Sequence, residues 1–107
     1  MRFGFFKGLP YDDCNENFEE YKGYSNRIPK SVILSYIFSL EAGLTSLPSK
    51  DIFTGERLQA GMFWDGEFTF PYEFLHYYKN YDIGIPYEYE NYLKSIGVGQ
   101  EKKDTEN

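Results

Sequence analysis

Apolar positions in this chain change their period several times, and each change marks an element. From Met62 to Phe70 aromatic and polar residues alternate around Asp65-Gly66, as MFWDGEFTF. A period of two is that of a half-buried strand, and Asp-Gly between two such runs predicts a β-hairpin with a two-residue type I′ loop. That loop pairs Trp64 with Glu67, Phe63 with Phe68 and Met62 with Thr69. Phe63, Phe68 and Phe70 then share one aromatic face for burial, while Met62, Trp64, Glu67 and Thr69 share a mixed face open to solvent. Pro71 ends the strand and suits the first turn of a helix, where the dipole favours Glu73. Phe74, Leu75, Tyr78 and Tyr81 follow at spacings of three and four, the period of one helix face.

Elsewhere the pattern is simpler. Residues 30–42, KSVILSYIFSLEA, are apolar nearly all round apart from a stripe of Ser31, Ser35 and Ser39. That predicts a buried helix stopped by Gly43, the most buried segment of the chain. A third helix starts at Pro86-Tyr87-Glu88, repeating Pro71-Tyr72-Glu73, with Tyr89, Leu93 and Ile96 inward and Gly97 and Gly99 as its stop. Near the start, Phe3 and Phe5 alternate with Arg2 and Gly4, which predicts a short edge strand or extended arm over 2–7. Asp12 or Asp13 is placed to cap a short helix running to residue 21 or 22. Residues 44–60, punctuated by Pro48 and Gly55, read as a connector with a turn begun by Asp51. The expected fold is therefore α+β: a small single domain over 1–99, mostly helical, with a β-hairpin packed on the helices. The apolar-free stretch 100–107 is expected to be a disordered tail.

Composition changes the picture in two ways. Aromatics make up 21% of the 107 residues, and 11 of them are tyrosines, which bring a polar tip to any core or binding face they build. Eleven bases against 17 acids leave a net charge of −6. Such a balance argues against nucleic acid and anionic membrane as partners and for a basic one. The acids are not evenly spread: residues 11–20 hold Asp12, Asp13, Glu16, Glu19 and Glu20 and no base. A solvated helix start explains that run, and so does a patch for a basic partner; a metal site fits least, since the glycine and spacing of a calcium loop are missing. The single Cys14 excludes an internal disulfide and a cysteine zinc site. With no apolar leader and no stretch of membrane-spanning length, the expected compartment is the cytoplasm.

Catalytic readings find little support in the sequence. His76 is the only histidine and lies off the Phe74–Leu75–Tyr78 face, as a surface histidine would. A Cys14–His76 dyad lacks any family signature, the serine stripe has no base placed to activate it, and no glycine loop fits a phosphate. Glu67 and Glu73 beside Tyr72 make a possible acid pair of a kind common on acidic surfaces. No cofactor and no metal are implied.

One resemblance adds to this. The series DIFTGE, FWDGEFTFP, EFLHYYKNY and IPYEYENYL resembles immunity proteins of bacterial contact-dependent growth inhibition and related polymorphic toxin systems. Asp65-Gly66, Phe68, Phe70-Pro71, Tyr77-Tyr78, Tyr81 and Ile85-Pro86 carry it, over residues 51–96; at Phe70 the pattern more usually has tryptophan. The resemblance implies a cytosolic antitoxin that binds a cognate toxin domain tightly, often a nuclease. A nuclease site is basic because it holds phosphates, and an acidic, tyrosine-rich domain has the charge and the aromatic anchors to cover it. The expected contact residues are Asp12, Asp13, Glu16, Glu19 and Glu20, with Trp64 and Glu67 on the open hairpin face. The runner-up is a small acidic adaptor for another basic protein. A third reading is a small hydrolase using Tyr72 or His76, which a pocket with a perturbed acid beside His76 would favour.

Overall fold

A computed structural model describes residues 1–100, so the expected tail lies outside the described residues save for the exposed Gln100. In chain order the elements are a 3₁₀ helix (Phe18–Gly23), α1 (Lys30–Phe38), β1 (Ala42–Lys50), β2 (Arg57–Asp65), β3 (Phe68–Pro71), α2 (Phe74–Asn80) and α3 (Tyr87–Ser95). The strands form one antiparallel sheet in the order β1-β2-β3. Helix takes 31% of the described residues and strand 25%, so the class is α+β but the expectation of a mostly helical domain is wrong. The cause lies in the stretch read as a connector, which holds most of β1 and the start of β2. β1 is exposed along nearly its whole length, and its pairing shifts between Thr45 and Ser49 around Pro48. An edge strand that buries neither face carries no alternation, and its proline and bulge are the devices that keep such an edge from pairing further.

The hairpin forms in a different register from the one expected. Asp65 pairs with Phe68, Trp64 with Thr69 and Phe63 with Phe70, so the two-residue loop is Gly66-Glu67. Gly66 has φ +62 at the first loop position, where a type II′ turn requires glycine. The slip is by two residues, so the faces survive: Phe63, Phe68 and Phe70 still point inward, and Asp65 joins them.

The outer edge of β3 is covered by the N-terminal arm. Phe3 N–H donates to the Thr69 carbonyl at 3.0 Å, and Thr69 N–H donates to the Met1 carbonyl at 2.9 Å. Phe3 stacks on Phe70 with centroids 4.8 Å apart, and Phe6 meets Phe18, Tyr21 and Tyr77 edge to face. One aromatic core thus joins the arm, the hairpin, α2 and α3. Edge-to-face and offset pairs suit the ring quadrupoles and add to simple burial.

Three helix expectations need correction. Over residues 12–22 the helix is shorter and starts later, because Asn17 is its N-cap, accepting from the Glu19 amide at 3.0 Å, while Asp13 sits at φ +57. The 30–42 segment is not the most buried: α1 ends at Phe38 and buries only Ile33 and Ile37, whereas α2 buries Phe74, Leu75, Tyr77 and Tyr78. A small domain has too little interior to surround an all-apolar helix. In α3 the inward set is Tyr89, Glu90 and Leu93, and Ile96 is exposed.

Candidate functional site

Asp51, Asp65, Glu73 and Glu90 are buried, and their oxygens are met mostly by neutral donors. Asp65, at the end of β2, accepts from the hydroxyls of Tyr36 at 2.9 Å, Tyr89 at 2.8 Å and Tyr92 at 3.1 Å. It thereby ties α1 and α3 to the hairpin. Glu73 accepts from Tyr11 at 2.6 Å and from Ser49. Glu90 accepts from the Arg27 and Ile28 amides and the Asn26 side chain. Burial pushes the Glu90 carboxyl up, but these bonds and nearby Lys94 outweigh it and hold it low. A buried carboxylate costs little when charge-assisted hydrogen bonds replace its water, and here tyrosine hydroxyls and backbone amides do so.

Asp51 has the most chemical character of the four. It opens the turn into β2, as expected, accepting from the Phe53 and Thr54 amides at 2.7 and 3.1 Å. Its other oxygen accepts from Tyr81 at 2.7 Å and lies 2.7 Å from His76 Nε2. Burial pushes the carboxyl up, yet the bonds from Tyr81, His76 and the two amides together hold it down at about 2. Facing the ionised acid, Nε2 is the donor of this bond, and Nδ1 lies 3.4 Å from the Asn80 amide nitrogen. Asp51, Thr54, Glu56, His76, Asn80 and Tyr81 line a cavity of about 350 Å³. His76 is therefore not the free surface histidine its position suggested. A carboxylate-oriented imidazole is half of a general-base device; among the described residues no Ser, Thr or Cys side chain is hydrogen-bonded to its Nδ1 to serve as the nucleophile. Burial raises the Cys14 thiol, and among the described residues no hydrogen bond joins it to His76. Glu67 is exposed at the turn while Glu73 is buried against Tyr11, so the expected acid pair does not form. Among the described residues no group of three His, Cys, Asp or Glu side chains is placed to hold a metal.

The expected contact residues divide. Asp12, Asp13, Glu19, Glu20 and Glu67 are exposed, and Trp64 is 63% exposed. Glu16 is taken by the fold: it accepts from the Phe5 amide at 2.8 Å and from the Tyr21 hydroxyl. Glu19 shares an exposed pair with Lys22 at 3.1 Å. Two further acids that the sequence did not single out, Glu41 and Glu88, are exposed as well. Burial, then the charges of Glu88, Glu16 and Glu20, push the Tyr24 hydroxyl up, so Glu88 of α3 stands in the same negative field as the 3₁₀ helix. Glu41, exposed after α1, lines a notch of about 420 Å³ with Leu40, Ala42, Gly43 and Trp64.

No protein-family model, no curated protein and no solved structure matches the chain. The likeness to immunity proteins rests on the motifs quoted above. No helix of the described residues is long and apolar enough to cross a membrane.

Proposed function

We propose that this protein is an antitoxin: it binds a basic toxin domain, a nuclease in the first instance, and blocks its active site by steric cover. The observation that supports this reading most is the division of the acids. Those inside are met by tyrosine and serine hydroxyls, amides and, at Asp51, His76, whereas Asp12, Asp13, Glu20, Glu67, Glu41 and Glu88 face solvent with no basic side chain in ion-pair range among the described residues. Unpaired surface acids steer a basic partner and speed its encounter, and an exposed tryptophan among them is the residue type that anchors interfaces. Neutralisation by cover asks for no chemistry from the chain.

The test is co-expression with a toxin encoded by the adjacent reading frame. Growth should be rescued and the two proteins should co-purify; a protein that protects against no such toxin would end the reading and leave the acidic adaptor in its place. The Asp51–His76 pair beside its cavity favours a second reading, a small hydrolase. His76→Ala separates the two, since it would abolish hydrolysis and leave toxin protection intact.

A further inference from the structure

We infer that the notch between Trp64 and Glu41 is a binding site for a guanidinium or ammonium group, and that its occupant is an arginine side chain of the basic partner. The inference rests on the antitoxin reading for that partner and on the notch itself for the chemistry. Trp64 is the only tryptophan and has 63% of its surface exposed, unlike the other ring residues of β2 and β3. Its ring is not loose on the surface. A Cβ on Gly43 would stand 3.0 Å from Cζ3 and 3.3 Å from Cη2, so the indole lies directly against the β1 backbone where a side chain is missing. Leu40 and Ala42 give the notch an apolar lining, and Glu41, one residue beyond the Ala42–Phe63 pair and so across from Trp64, is its acidic residue.

Those parts define a ligand. An indole attracts a cation more strongly than any other side-chain ring, and a fixed ring loses no freedom on binding. A carboxylate beside it adds charge and a bidentate acceptor, which suits the planar guanidinium better than a point-charge ammonium. Glu41 has no basic partner among the described residues, so nothing in the fold competes for it. A neutral apolar ligand would gain from the ring and leave Glu41 unused; an anion would meet a chain of net charge −6.

The single tryptophan makes the experiment direct. The emission of Trp64 is followed while acetyl-arginine amide, acetyl-lysine amide and the neutral isostere acetyl-citrulline amide are titrated in. Arginine should give a saturable change in the millimolar range, on the scale of one exposed contact, about 1–10 mM. Lysine should bind more weakly and citrulline should give no saturable change. Glu41→Gln, with an unchanged circular dichroism spectrum, should weaken arginine binding about 2–5-fold, and added salt should do the same. Equal responses to arginine and citrulline, or no effect of Glu41→Gln, would overturn the assignment. Failure here and failure of the antitoxin reading are separable. Arginine binding by a protein that protects against no toxin sustains the notch and removes its proposed occupant. Protection without any arginine response overturns the notch and leaves the antitoxin.

Discussion

Asp65 and Asp12 are the same residue type in one small chain, and they behave as opposites. Asp65 is buried and shared by three tyrosine hydroxyls; Asp12 is exposed, and its backbone carbonyl, rather than its carboxylate, accepts from Arg2 at 3.1 Å. The net charge counts them alike. Acids such as Asp65 hold helices and sheet together without a cation, so that few bases are needed inside. Acids such as Asp12 are left to act outward. Tyrosine makes the division possible, because its ring fills the core and its hydroxyl satisfies the acid at the core's edge.

This contrast can be broken first at high pH. Nine tyrosines have hydroxyls raised above the ordinary 10.0, to about 12 for Tyr77 through burial and for Tyr81 through its bond to Asp51. A raised folded value contributes stability that is whole below pH 10 and is lost as pH climbs through the folded values. Phenolate absorbance and loss of helical circular dichroism should rise together in one cooperative step above pH 10. Gradual phenolate formation at these nine in a still-folded protein would deny them their structural role.

Next in size, Asp65→Ala leaves three hydroxyls without their acceptor and should cost about 3 kcal/mol in urea unfolding. Asp65→Asn, which keeps an acceptor oxygen, should cost less. Acid conditions probe Asp51. Its folded value of about 2 lies below the usual 3.8. Its contribution is present above pH 4 and disappears as pH falls to 2, about 2 kcal/mol in all. Asp51→Asn should flatten that part of the stability profile. The smallest effect on the fold belongs to the outer acids. Asp12, Asp13, Glu19 and Glu20 changed together to lysine should shift stability by no more than about 1 kcal/mol. The same variant should associate with a basic partner more slowly and with weaker salt dependence. A tetralysine protein that bound as fast as the parent at low salt would remove this patch from the interface.

The sequence was informative where one face of an element is buried. The aromatic alternation of 62–70 placed the hairpin and its inward face, and the proline starts placed α2 and α3 to within about three residues. It misled where burial and pattern part company. Asp65 looked like a turn residue because Asp-Gly is a turn signal, yet the turn is Gly66-Glu67 and the aspartate is core. β1 was invisible because a strand open on both faces leaves no period to read. α1 looked buried because its residues are apolar, but Phe38 is 59% exposed. Of the surface, the exposure of Asp12, Asp13, Glu19, Glu20 and Trp64 was legible, whereas Glu16 of the same run is held by the fold. Glu41, Glu88 and the Asp51–His76 pair depend on contacts between elements that no local spacing encodes.

The arm that closes β3 has a consequence for how the protein is made. Met1 donates to the Glu67 carbonyl 66 residues ahead, and Phe3 completes a core whose other rings belong to the hairpin, α2 and α3. During synthesis at roughly 5–20 residues per second, the segment RFGFFK leaves the ribosome some 3–13 s before its docking site exists. For that interval three phenylalanines stand in solvent. Arg2 and Lys7, which bracket them, are the charges that discourage such a segment from pairing with a neighbouring nascent chain. Of the rings in this core, those of the arm must wait longest for their partners.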